Sequence, residues 1–125
     1  MLRTRVLLAL LVVFAAACGS DSTGPPFCDA TVGDVSATTG TAPVFKWEPS
    51  CRTRALRVFR VSDQQTMWSI SSGSSPAVPS GVRYGTTPRG ATASAAALPL
   101  VAGTQYRVII SNNGTAIDGG VNFTP

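Results

Sequence analysis

The fold of this 125-residue chain is decided by one stretch, Arg54-Ala55-Leu56-Arg57-Val58-Phe59-Arg60-Val61-Ser62. The stretch is rich in β-branched and aromatic residues, which favour extended strands. Leu56 and Val58 lie on one face at a period of two, and Phe59 and Val61 lie on the other face with Arg57. Because both faces carry apolar side chains, the pattern predicts either a central strand or a bulge at this position.

Further candidate strands lie on both sides of this stretch and are separated by turn residues. They cover Thr31–Thr38, Pro43–Trp47, Thr66–Ser71, Val78–Tyr84, Ala91–Leu98, Thr104–Ser111 and Ala116–Phe123. The sequence Asn112-Asn113-Gly114 before the last strand is typical of a tight hairpin. With no convincing helix after the first 17 residues, the chain is predicted to be all-β, a single antiparallel β-sandwich of seven or eight strands.

The beginning of the chain is typical of a secretion signal. Arg3 and Arg5 precede the apolar run Val6–Ala17, which holds 12 residues (17 − 6 + 1), whereas a membrane-spanning helix needs about 20. The run ends in Ala15-Ala16-Ala17-Cys18, which resembles the lipobox of bacterial lipoproteins. The resemblance implies cleavage after Ala17 and acylation of Cys18. Ordinary cleavage at the same bond, which leaves a free thiol, is the alternative.

Acylation at Cys18 would anchor the protein in a bilayer, since stable attachment takes two lipid signals and a lipoprotein carries several acyl chains. Gly19 and Ser20 follow the cysteine, whereas aspartate there tends to keep lipoproteins at the inner membrane. We therefore expect a location in the bacterial cell envelope, at the outer membrane rather than the inner one. The expected organisation is a signal peptide over 1–17, a lipidated tether over 18–27 that ends in two prolines, and a β-sandwich domain over 28–125.

The cysteine count is consistent with this organisation. With Cys18 acylated, Cys28 and Cys51 remain as an even pair. An exported chain reaches an oxidising compartment, where a disulfide between them is the expected state. Two buried free thiols are the alternative.

The charge balance excludes one class of partner. The whole chain has a formal charge of +4, and loss of Arg3 and Arg5 leaves 8 basic and 6 acidic residues, a charge of +2. Such a mild excess is not typical of nucleic-acid binding, so no nucleic-acid partner is predicted.

Two motifs resemble those of fibronectin type III domains. Leu100-Val101-Ala102-Gly103-Thr104-Gln105-Tyr106 is similar to the tyrosine corner of that family, and Phe45-Lys46-Trp47-Glu48-Pro49 is similar to an early strand that ends in tryptophan and a nearby proline. The resemblance implies a fibronectin type III or immunoglobulin-like sandwich, with a buried Tyr106 whose hydroxyl bonds to backbone near Leu100–Gly103. It implies no particular function, because this fold hosts many unrelated roles.

Catalytic chemistry finds little support in the sequence. The chain contains no histidine, which removes Ser-His-Asp and Cys-His catalysis and histidine metal sites. The mature carboxylates form no calcium-loop or Asp-x-Asp pattern; they are Asp21, Asp29, Asp34, Glu48, Asp63 and Asp118. We therefore predict no enzyme, no cofactor and no metal.

Two groups of side chains are candidates for binding. Even spacing places Arg52, Arg54 and Arg60 on one face of a strand, with Arg57 nearby. They fit either a site for an acidic polymer or lipid headgroup, or a solvated strand edge protected by charge. Trp47, Trp68 and Tyr84 fit either a sugar-stacking platform or the core.

The functional prediction is a membrane-anchored, non-catalytic binding or structural module that contacts an envelope protein or glycan. Its candidate binding surface consists of Trp68, Arg83, Tyr84 and Arg89, in or next to the loop region Ser72–Ala91. One alternative is a carbohydrate-binding module that uses Trp68 and Tyr84. Another is an inhibitor of envelope proteases that presents the Ser72–Ala91 region.

Overall fold

The computed structural model describes residues 24–28, 32–112 and 115–125, with the backbone alone for 115–118. These residues are all-β, and no helix long and apolar enough to cross a membrane occurs among them. The strands are β1 Asp34–Ala37, β2 Val44–Glu48, β3 Arg52–Thr53, β4 Ala55–Arg60, β5 Thr66–Ser72, β6 Val78–Pro79, β7 Val82–Arg83, β8 Ala91–Ala95, β9 Tyr106–Asn112 and β10 Thr115–Phe123.

The strands form three antiparallel sheets. A five-stranded sheet has the order β10-β9-β4-β5-β8, a three-stranded sheet has the order β1-β2-β7, and β3 pairs with β6 alone. Buried side chains of both larger sheets form one core, as the edge-on contact of Phe45 on β2 with Phe123 on β10 shows, with ring centroids 5.4 Å apart. The fold is therefore a β-sandwich, as the sequence predicts.

The stretch around β4 is both a central strand and the site of a bulge. β4 lies between β5 and β9, and its Leu56 and Val58 are fully buried. Val58 lies opposite Trp68 and Phe59 lies opposite Thr66, so Met67 is an additional residue on β5. On the other face of β4, the Arg57 guanidinium covers the Phe59 ring at 5.1 Å from its centroid. Leu56 and Val58 are thus apolar because they face the core, whereas Phe59 is on the opposite face and is covered by Arg57.

The number of strands differs from the predicted seven or eight. The predicted strand Val78–Tyr84 is divided into β6 and β7, which belong to different sheets, because the chain turns at Gly81 with φ of 92°. A glycine accepts this left-handed conformation without steric cost. The two-residue strand β3 adds one more. Each of the other predicted strands overlaps a strand of the structure, with ends that differ by a few residues, and β8 ends at Ala95, before the predicted limit of Leu98.

The predicted hairpin joins β9 and β10. Asn112 pairs with Thr115, which leaves a two-residue connection. Asn113 and Gly114 themselves lie outside the described residues. At the other end of β9, Tyr106 is fully buried and its hydroxyl accepts a hydrogen bond from the Val101 N–H at 2.9 Å. The buried tyrosine contact expected near Leu100–Gly103 is therefore confirmed.

Candidate binding surface

The chain before β3 lies against the sandwich. The N–H of Arg52 donates to the Pro26 carbonyl, and the N–H of Cys28 donates to the Arg52 carbonyl, both at 2.8 Å. Phe27 forms a parallel bridge with Arg52. Residues 24–27, the end of the predicted tether, are therefore fixed along β3 as if they were a short additional strand.

A disulfide joins this segment to the chain immediately before β3. Cys28 and Cys51 are both buried and bonded, with their Cα atoms 5.0 Å apart, so the predicted disulfide is confirmed. The carbonyl of Cys51 accepts a hydrogen bond from the indole N–H of Trp47, and the carbonyl of Cys28 accepts one from the side-chain amide of Asn112. Strands β2 and β9 thus hold the two ends of the disulfide in place.

A surface patch of an aromatic ring and a cation lies beside the disulfide; we call residues 24–27 and Arg52 the Phe27–Arg52 patch. The Arg52 guanidinium carbon lies 4.7 Å from the centroid of the Phe27 ring, and its Nε donates to the Pro25 carbonyl at 3.0 Å. Phe27 remains 49% exposed. Together these residues line a shallow groove.

The patch lies at the end of the sandwich where the chain enters at residues 24–28 and where β9 ends. We call this the N-terminal end. Asn112 contacts Cys28 there, and the hydroxyl of Thr53 donates to the Ser111 carbonyl at 2.6 Å. Tyr106 and Val101 lie at the opposite end of β9, which we call the Tyr106 end. The patch and Val101 are therefore separated by the length of a strand.

Arg52, Arg54 and Arg60 do not lie on one strand, so their predicted shared face is wrong. The chain bends at Arg54 between β3 and β4, which removes the even spacing along one strand. Arg57 lies on the outer face of the central strand, with its Nε donating to Thr66. Arg60 lies at the Tyr106 end in an ion pair with Asp63 at 2.9 Å, and its hydrogen bond lowers the pKa of Asp63. Only Arg52 and Arg54 are at the N-terminal end.

Trp68 and Tyr84 belong to the core. They are 1% and 8% exposed, and their rings meet edge to face with centroids 5.2 Å apart. Trp47 is fully buried as well. A sugar-stacking platform on these rings is therefore wrong, and the alternative that they fill the core is correct. The bulge at Met67 turns both Met67 and Trp68 into buried positions, which the strict alternation of a strand would not do.

The other two residues of the predicted binding surface are exposed but lie apart along the fold. Arg83 on β7 lies opposite Val44 at the start of β2, whereas Arg89 lies just before β8, whose Ala91 faces Ser72 at the end of β5. Within Ser72–Ala91, Val78 and Val82 are buried together with Tyr84. The region is thus an integral part of the sandwich and not a projecting loop, and the predicted residues do not form one surface.

Sequence reasoning missed Phe27, which pairs with a residue distant in sequence. Cys18 lies outside the described residues. Among the side chains that the structure describes, no group of three or more histidine, cysteine, aspartate or glutamate residues could hold a metal ion. Comparisons of the chain with models of protein families, with curated proteins and with solved structures found no match.

Proposed function

We propose that this protein is a lipid-anchored, non-catalytic binding or structural module of the bacterial cell envelope. Acylated Cys18 would hold it in a bilayer, preferentially the outer membrane, and the sandwich would contact an envelope protein or glycan. The observation that carries this proposal is the attachment of residues 24–28 to β3, next to the Cys28–Cys51 disulfide.

This attachment suits a domain held by its N-terminus. A tether that joined the sandwich through a freely moving segment would leave its orientation undefined. Here the chain is fixed from Pro26 onward by backbone hydrogen bonds, and the covalent disulfide follows two residues later. Any force on an anchored N-terminus would therefore reach the core through a covalent bond, and the sandwich would keep one end towards the membrane.

The finer fold assignment is part of the proposal. A fibronectin type III or immunoglobulin-like type is supported by the contact between Tyr106 and Val101 at the start of β9. It is further supported by the buried Trp47 on β2, within the motif that resembles the family's early strand. Neither feature indicates a ligand, because function in such sandwiches depends on grafted surfaces.

Intact-mass analysis of the protein extracted from its native membranes tests the anchor. We expect a mass above that of the polypeptide beginning at Cys18 by the mass of the attached lipid. A Cys18→Ser variant should move to the soluble fraction of the envelope, while a variant with Ser20→Ala should stay in the membrane. A Cys18→Ser protein that remained membrane-bound would refute the anchor. Crosslinking in the same cells then identifies the partner.

A further inference from the structure

The Phe27–Arg52 patch combines two kinds of side chain that favour a bilayer surface. Apolar side chains such as phenylalanine insert at the boundary between headgroups and acyl chains in proteins that bind a membrane surface, and long cationic side chains keep their charged ends at the headgroups while their apolar stems cover hydrophobic groups. Phe27 is half exposed, and the Arg52 guanidinium lies over its ring. The patch therefore presents an apolar surface with a positive charge at its side.

The hydrogen-bonding of Arg52 leaves donors for an anionic group. Its Nε is used by the Pro25 carbonyl. Its Nη1 and Nη2 atoms have no acceptor among the residues that the structure describes, although they carry four of the five guanidinium N–H groups. Guanidinium groups bind phosphates through paired N–H donors of this kind.

The chain length keeps this patch close to any lipid on Cys18. Five residues lie between Cys18 and Gly24, so the two are six residue steps apart (24 − 18), and a fully extended chain of six steps spans at most about 22 Å. A patch on the Tyr106 end would be further away by the length of the sandwich. Of the described surface, the N-terminal end is thus the part that the anchor brings nearest to the bilayer.

The N-terminal end carries charged side chains of both signs. Arg54 lies at the N-terminal end with Arg52, and its Nε is buried without a hydrogen-bond partner in the described part of the chain. The acidic residues of this end, Asp34 and Glu48, face each other on β1 and β2 and not on β3. At the Tyr106 end, Arg60 is neutralised by Asp63.

We infer that the Phe27–Arg52 patch rests on the bilayer, with Phe27 among the headgroups and the Arg52 Nη groups on the phosphates of anionic phospholipids. This inference depends on the proposed function in that it needs an anchor at Cys18. The contact would orient the sandwich with its Tyr106 end away from the membrane, where an envelope partner can reach it. Basic residues close to a membrane are attracted by anionic lipids in this way.

A depth measurement tests the contact. The mature chain has one thiol outside the disulfide, Cys18, so it can be coupled to a maleimide lipid in vesicles without relying on acylation by the cell. The tryptophan introduced by Phe27→Trp adds fluorescence to that of Trp47 and Trp68 in the wild type. Brominated phospholipids should quench this additional fluorescence, more strongly in vesicles that contain phosphatidylglycerol than in pure phosphatidylcholine. The matched variant Val101→Trp, exposed at the Tyr106 end, should show no added quenching. Equal quenching at both positions would overturn the inference.

Charge variants in the Phe27→Trp background test the role of Arg52. Arg52→Glu should remove the dependence on phosphatidylglycerol, Arg52→Lys should keep most of it, and Arg83→Glu, the same charge change on β7, should leave it intact. Unchanged quenching in a folded Arg52→Glu variant would refute the contact with phosphate. Because the lipid is attached chemically, a failure here is separate from a failure of the cellular acylation test, which is read by intact mass and by membrane fractionation in the native cells.

Discussion

The hydroxyl of Tyr84 donates a hydrogen bond to the carbonyl of Leu98 across 2.6 Å. The ring is packed against Trp68 in the core, and burial raises the pKa of Tyr84 to about 12, since a phenolate there would lose its water. This contact joins the chain after β7 to the segment that leads into β9.

The raised pKa of Tyr84 predicts a loss of stability at alkaline pH. An unfolded tyrosine has a pKa of about 10, so the unfolded state releases its proton first as the pH rises. The contribution of Tyr84 is fully present below pH about 10 and decreases between about 10 and 12, by about 2 kcal/mol in all. Urea unfolding of the Cys18→Ser chain across this range measures it. Tyr84→Phe should be less stable at neutral pH and should lack this decrease; an identical decrease in Tyr84→Phe would assign it to another group.

Tyr106 is expected to contribute through its hydroxyl. Tyr106→Phe keeps the buried ring but leaves the Val101 N–H without its acceptor. The free energy of unfolding should decrease by about 1–3 kcal/mol, as measured by urea unfolding at neutral pH. The variant should remain folded, because the packing of the ring against Phe123 is retained. An unchanged midpoint would show that this hydrogen bond contributes nothing and would weaken the fibronectin-like assignment.

Most strands were predictable because their side chains carry a local signal. β4, β5 and β9 show runs of β-branched and aromatic residues, and the Asn-Gly sequence predicts a short connection to β10. β3 and the division between β6 and β7 were not predictable. A strand of two residues covers a single period of alternation and so shows no repeat, and only its pairing partner, distant in sequence, defines it.

The candidate surface was harder to predict than the fold for a related reason. The sequence around Trp68 and Tyr84 is the same whether these residues lie outside or inside. The bulge at Met67 places Trp68 in the core, and Tyr84 packs against it there. Phe27 is a single aromatic residue at the end of a polar tether. Its place in a surface patch could not be predicted, because the patch depends on the stacking of Arg52, 25 residues (52 − 27) away in the sequence. The disulfide was predictable because counting cysteines requires no geometry.

Removal of the disulfide is expected to destabilise the sandwich markedly. Cys28 and Cys51 close a loop with a sequence separation of 23, and both are buried in the core. The variant Cys28→Ala/Cys51→Ala should lose about 2–5 kcal/mol of unfolding free energy, mainly because the unfolded chain becomes less constrained. Denaturant titration of this variant beside the Cys18→Ser protein measures the difference, since the latter keeps the bond. Equal stability of the two would show that the backbone hydrogen bonds around Arg52 suffice.

Gly119 on β10 lies close to the chain that leads into β1, and it offers a sharp test of the packing there. A Cβ atom at this position would lie 2.9 Å from the Val32 carbonyl oxygen and 3.1 Å from a methyl group of Val35. The first of these is backbone and cannot rotate away, so Gly119→Ala has to push β10 from the chain that leads into β1. Overpacking of this kind typically costs about 1–3 kcal/mol.

Gly73→Ala is the matched control, because a Cβ there meets nothing within 4 Å; its effect should stay within about 0.5 kcal/mol. Urea unfolding of both variants gives the comparison, and equal midpoints would mean that β10 does not lie as close to Val32 as this packing requires.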